Sequence, residues 1–200
     1  MLGSLWFNSF SSGAGASADY ELISTSLIAS TTASVTFGSL NTIAAAYKHL
    51  QLRIVSRNAW SAPSGTVTYG ANAVIRFNGD SASNYRAHMV EGASNNGTPF
   101  GTDYGSVSGC FVPDLGGVWD SSIANVYSTG IVDILDFSNA SKNTTIRTLA
   151  GNIKGGQGRV HLSSAAWFNT AAVTSMVVSE DGSGGGFKSG TRISLYGLKG

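Results

Sequence analysis

Two hundred residues suit one domain with room for a sizeable core, yet charged residues are only 12% of the chain, about half the usual share. The polarity comes from Ser, Thr, Asn and 26 Gly, a mixture that favours strands and turns because short polar side chains compete for backbone hydrogen bonds. A net charge of +1 with twelve scattered Lys and Arg excludes a field built for nucleic acid or an anionic membrane, and it leaves little repulsion against self-association.

In chain order, residues 1–19 stand apart. Leu2, Leu5, Trp6, Phe7 and Phe10 form an apolar cluster, followed by the run SSGAGASA, a flexible linker by composition. The segment lacks the basic n-region of a secretory signal, and Gly3, Ser4 and Asn8 interrupt its apolar residues. Nothing approaches the roughly 20 apolar residues of a membrane span, so the expectation is a protein made in a cytoplasm. An apolar cluster of this kind needs cover. It either folds back onto the domain or docks on a neighbouring subunit, as an arm that would anchor the protein to a larger particle.

From Tyr20 to Gly200 short strand-like runs alternate with turn chemistry. YELISTSLI and ASVTF come first, and GSLNTIAAAYK has room for a single helical turn. HLQLRIVSR alternates cleanly, with Leu50, Leu52 and Ile54 on one face and Gln51, Arg53 and Val55 on the other. NAVIRF, RAHMVEG, IVDILDF, TTIRTLAGNI, RVHLSSAAWF, AVTSMVVS and TRISLYGL continue the pattern. About ten short strands with no segment of helical period predict an all-β fold, an antiparallel, jelly-roll-like β-sandwich over 20–200 carrying a short N-terminal arm. The stretch 91–121 reads as one long irregular excursion, the kind of loop that binds or forms an interface.

Candidate chemistry is thin. Asp133 and Asp136 sit at an odd spacing in a predicted strand, which puts them on opposite faces and keeps them from flanking one bond. His49, His88 and His161 lie far apart in predicted strands and match no metal-ligand spacing. Cys110 is the single cysteine, which excludes an internal disulfide and reads as a small buried hydrophobe. GSGGG at 182–186 lacks the setting of a phosphate cradle and reads as a mobile loop. Trp60, Trp119, Trp167, Tyr20, Tyr47, Tyr85 and Tyr196 suit a core, a subunit interface or a sugar-stacking platform. No cofactor and no metal is expected.

The densest stretch is RFNGDSASNYRAH, 76–88. It lacks the ligand series and distal Glu of a calcium loop. Asn78, Gly79 and Asp80 instead suit a tight reversal between two strands, because Gly accepts positive φ and the Asn and Asp side chains bond nearby amides. The prediction is a fold-defining hairpin turn.

Three stretches, IRFNGDSASNY (75–85), IVDILDFSNASKNTTIR (131–147) and GTRISLYGLKG (190–200), together with YELI at 20 and HLQLRIVSR at 49–57, resemble a β-sandwich virion protein family of tailed bacteriophages, cyanophages among them. The resemblance runs from Tyr20 to Gly200 and leaves residues 1–19 uncovered. It implies a non-enzymatic, trimeric sandwich displayed on the virion, a tail-fibre or fibre-like adsorption protein. Its partners would be other virion proteins and a host surface glycan, with no nucleic acid and no membrane. A capsid decoration (cement) protein is the alternative. A carbohydrate-binding module or depolymerase is the third.

Overall fold

The computed structural model describes residues 19–61, 70–94, 96–119, 124–154, 157–182 and 185–200. Leu2, Leu5, Trp6, Phe7 and Phe10 therefore lie outside the described residues. Twelve strands are present among those described: β1 (Tyr20–Leu27), β2 (Ser34–Phe37), β3 (His49–Ser56), β4 (Ala71–Phe77), β5 (Tyr85–Ala93), β6 (Asn96–Val107), β7 (Cys110–Gly117), β8 (Ser128–Leu135), β9 (Thr144–Lys154), β10 (Gln157–Trp167), β11 (Met176–Glu180) and β12 (Arg192–Leu198). Among the described residues the one helical turn is a 3-10 turn at Leu40–Ile43, inside the stretch that had room for it.

All strand pairs are antiparallel, in an eight-stranded sheet ordered β1-β12-β3-β8-β9-β10-β5-β6 and a four-stranded sheet ordered β2-β11-β4-β7. The expected all-β sandwich is what the chain forms. The sheets are unequal, and β7, at the edge of the smaller one, lies across β3, β8, β9, β10 and β5 of the larger. Alternation explains the layer between them. Leu50, Leu52 and Ile54 of β3, Val132 and Ile134 of β8, and Ile193 and Leu195 of β12 are all buried. They meet Ile75, Phe77, Val112, Leu115, Met176 and Val178 of the smaller sheet. Each such side chain contributes about 1.5–3 kcal/mol by leaving water. Gly130 of β8 makes room for Leu115, because a Cβ there would stand 2.7 Å from a Leu115 methyl.

Three expectations need correcting. The 91–121 segment is no irregular excursion, since β6 and β7 occupy most of it. β6 is an edge strand with largely exposed residues, so no buried face imposes an apolar alternation on it. The strand IVDILDF stops at Leu135, and Asp136 turns out of it with φ 50. The turn at 78–80 joins β4 of the small sheet to β5 of the large one, so it is a corner between layers and not a hairpin.

Candidate functional site

The Asn78 and Asp80 side chains of the corner are hydrogen-bonded at each of their polar atoms. Asn78 (φ 53) and Gly79 (φ 71) take left-handed conformations, which Gly and Asn tolerate best. The Asn78 side-chain oxygen accepts from the Thr174 amide at 2.8 Å and the Ser175 amide at 3.1 Å, while its amide donates to the Ala172 carbonyl at 2.9 Å. The Asp80 carboxylate accepts from the Trp167 indole at 2.7 Å, the Asn84 amide at 3.0 Å and the Ala82 backbone at 2.9 Å. The Asn84 bond, then the Trp167 bond, hold its pKa below the usual carboxylate value. Tyr85 donates to the Asp80 carbonyl at 3.0 Å and accepts from the Phe77 amide at 3.1 Å, and burial pushes its phenol up to about 12. Phe77, Tyr85 and Trp167 pack ring on ring behind the corner. These groups are committed to holding two sheets together.

The other candidates are similarly placed. Asp133 accepts from Gln51 at 2.8 Å. Asp136 receives Lys142 and, through its backbone amide, donates to His49 Nδ1 at 2.9 Å, and the Lys142 bond lowers its pKa. His88 lies 3.4 Å from the Ser164 hydroxyl. Among the described residues no three His, Cys, Asp or Glu converge as a metal site. Cys110 is fully buried, and that burial drives its thiol pKa upward. Of the 182–186 loop, Gly185 is packed so tightly that a Cβ would meet the Asn58 side chain at 2.0 Å, and Phe187 beyond it is buried between bridges to Thr32 and Asn58. This described part is a clamp; Ser183 and Gly184 lie outside the described residues. Trp60 meets Trp119 edge to face at 4.2 Å, and Tyr47 donates to Glu21 at 2.6 Å.

Sequence reasoning named His161 but missed its partner. Asp114, with φ 58, sits in a bulge of β7 where pairing with β4 slips between Ala71 and Ala73. Its carboxylate reaches His161 Nε2 at 2.7 Å and an Arg159 nitrogen at 3.5 Å, both on β10. Arg159 also donates to Glu91 of β5 at 3.0 Å. Asp114 and His161 are each only 1% exposed. Asn72 fixes the bulge by accepting the Asp114 amide at 3.1 Å, and Ser56 donates to the Leu115 carbonyl at 2.9 Å. An imidazole facing a carboxylate is the partnership of a general base, but enclosure denies this one a substrate. It works as a clasp between the sheets. The signal was slight: a His in an apolar run and an Asp in PDLGG, 47 positions apart.

The outward face of the large sheet is open and ordered into cross-strand rows. One row reads Ile131, Leu149, Leu162, Val90 across β8, β9, β10 and β5, and all four are exposed. The next row reads Thr129, Gly151, Val160, Gly92. Where Gly151 lacks a side chain, a hollow of ≈ 580 Å³ opens between Ile131, Leu149 and Val160, with Arg53 at one end. The row on the other side is polar: Gln51, Asp133, Arg147, Ser164 and His88. Beside Gln51, Tyr20 stacks on Tyr196 at 4.7 Å, with the Arg53 guanidinium 5.3 Å and 5.4 Å from the two rings.

No protein-family model, no curated protein and no solved structure matches the chain.

The rows thus supply shape, an apolar strip and a polar border.

Proposed function

We propose that this chain is a non-enzymatic structural protein of a tailed-phage virion, a tail-fibre or fibre-like adsorption component that forms a homotrimer and joins the particle through residues 1–19. The observation that carries the reading is where the chemistry-bearing residues are spent. Asp80, Asp136, His49, Asp114 and His161 are all engaged in turns, corners or the cross-sheet clasp. Asp80, Asp136 and His49 fall in the stretches that resemble the phage family, and Asp114 and His161 lie outside them. A resemblance made of fold-building residues supports a shared scaffold and carries no catalytic role with it.

The stacked Tyr20 and Tyr196 with Arg53, next to Gln51 and Asp133 on the exposed face, favour a host surface glycan as the adsorption partner, since sugars pair aromatic faces with planar polar groups. A capsid decoration protein would use the same sandwich on the shell. Labelling the protein on intact particles and imaging them by cryo-electron microscopy separates these positions. Density at the tail is the expected result. Density distributed over the capsid faces gives the decoration reading and ends the fibre reading, and a clean monomer in light scattering counts against the trimer.

A further inference from the structure

A second hollow, of ≈ 350 Å³, opens on the outward face of the large sheet beside the stacked tyrosines. Arg53, Arg192, Thr25, Ser194 and Tyr196 line it, with Leu22 and Val55 as its apolar part. Strand register brings these side chains together. Arg53 of β3 stands opposite Ser194 of β12, and Ser194 stands opposite Thr25 of β1. Arg192 lies two residues along β12, on the same face, opposite Val55 and diagonal to Arg53. Diagonal partners are about 7–8 Å apart, a distance that two Arg side chains can span.

The charge in this hollow is unbalanced. Two guanidinium groups line it and no carboxylate does. Among the described residues neither Arg53 nor Arg192 has an ion-pair partner. Arg53 donates to the Gln51 side-chain oxygen at 3.4 Å and lies beside both tyrosine rings. Asp133, the acid of the adjoining row, accepts from Gln51 at 2.8 Å. Like charges held close together repel, and an anion between them is attracted by both. A guanidinium fork matches a carboxylate or a phosphate through two parallel hydrogen bonds. The Thr25 and Ser194 hydroxyls, 3.0 Å apart, share one hydrogen bond, which leaves one hydroxyl proton for an oxygen of a ligand.

We propose that this hollow binds an acidic glycan, one sugar ring lying against Tyr196 with its carboxylate or phosphate held between Arg53 and Arg192. The inference rests on the host-glycan reading above and deepens it by naming the class of sugar. The larger hollow of ≈ 580 Å³ adjoins along Arg53 and Val55, so a neighbouring sugar of the same glycan has a place beside the acidic one. Arg53 serves both parts, as a wall of each hollow and as the cation beside the tyrosine stack.

A glycan array carrying uronic-acid, sialic-acid, phosphorylated and neutral oligosaccharides, probed with the full-length protein, tests this. Binding confined to acidic members is the expected result, and its division between carboxylate and phosphate members identifies the anionic group. Arg192 is exposed, so Arg192→Gln should keep the native circular dichroism spectrum. It should weaken binding of those members at least about tenfold, within the worth of a charge-assisted hydrogen bond. Tyr196→Leu should weaken the same members. Polyglutamate, which offers charge without a sugar ring, should bind the unaltered protein at least about tenfold more weakly than the best acidic glycan. Neutral glycans or polyglutamate bound as tightly as acidic glycans, or undiminished binding by Arg192→Gln, would overturn the inference and leave the host-glycan reading standing. No glycan bound by the unaltered protein would overturn that reading and this inference together.

Discussion

Replacing Asp114 tests the cross-sheet clasp most directly. Asp114→Ala removes the acceptor 2.7 Å from His161 Nε2 and one of the two carboxylates facing Arg159, where Asp114 and His161 are each 1% exposed. Breaking a buried charged pair by deleting one partner costs about 3–5 kcal/mol. Ala must also adopt φ 58, a left-handed conformation that adds about 1 kcal/mol. The expected total is about 4 kcal/mol or more, a large share of the roughly 5–15 kcal/mol that holds a domain folded. Asp114→Asn keeps a side chain suited to the left-handed region and a carbonyl acceptor, so it should lose only about 1.5–3 kcal/mol, the worth of the charge-assisted bond. Urea unfolding followed by fluorescence of buried Trp167 reads both, with an unchanged m-value as the sign that only stability moved. Combining each with His161→Leu completes a double-mutant cycle, and a coupling of about 1–3 kcal/mol is expected. Asp114→Ala within about 1 kcal/mol of the unaltered protein, or strict additivity with His161→Leu, would refute the clasp.

Gly79→Val should destabilise by about 2 kcal/mol, because a β-branched residue is forced to φ 71 while no neighbour crowds the site; Gly79→Asn should cost markedly less, and equal effects from the two would disprove the backbone argument. Acid unfolding should report Asp80 and Asp136. Both pKa values are depressed in the folded state, first by Asn84 and by Lys142 respectively, so their stabilisation is fully present above the unfolded value of about 4 and fades as pH falls through the folded values. Asp80→Asn should flatten that acid limb in a urea series between about pH 2 and 5, and an unchanged slope would remove Asp80 from it. Cys110 should resist a thiol reagent in native buffer and react fully in urea, given its complete burial and raised thiol pKa; rapid native labelling would contradict the packing around β7.

Strand periodicity was legible wherever one face of a strand is buried. Leu50, Leu52 and Ile54 announce their face because the sandwich interior accepts only apolar side chains there. β6 was not legible, since an edge strand exposed along most of its length carries no such constraint. Asn78 and Gly79 showed in the sequence that the chain turns, because left-handed backbone selects those residues locally. That the turn crosses between sheets depends on Tyr85, Trp167 and Thr174, far away in sequence. The same division separates the two surfaces that matter most. Composition and local periodicity dictated an all-β, weakly charged chain with an apolar N-terminal sequence, because those are sums over local preferences. The Asp114–His161 clasp, and the alignment of Ile131, Leu149, Leu162 and Val90 into one strip, arise from register between strands distant in sequence. Register is set by the packed core as a whole, so only the tertiary structure could decide them.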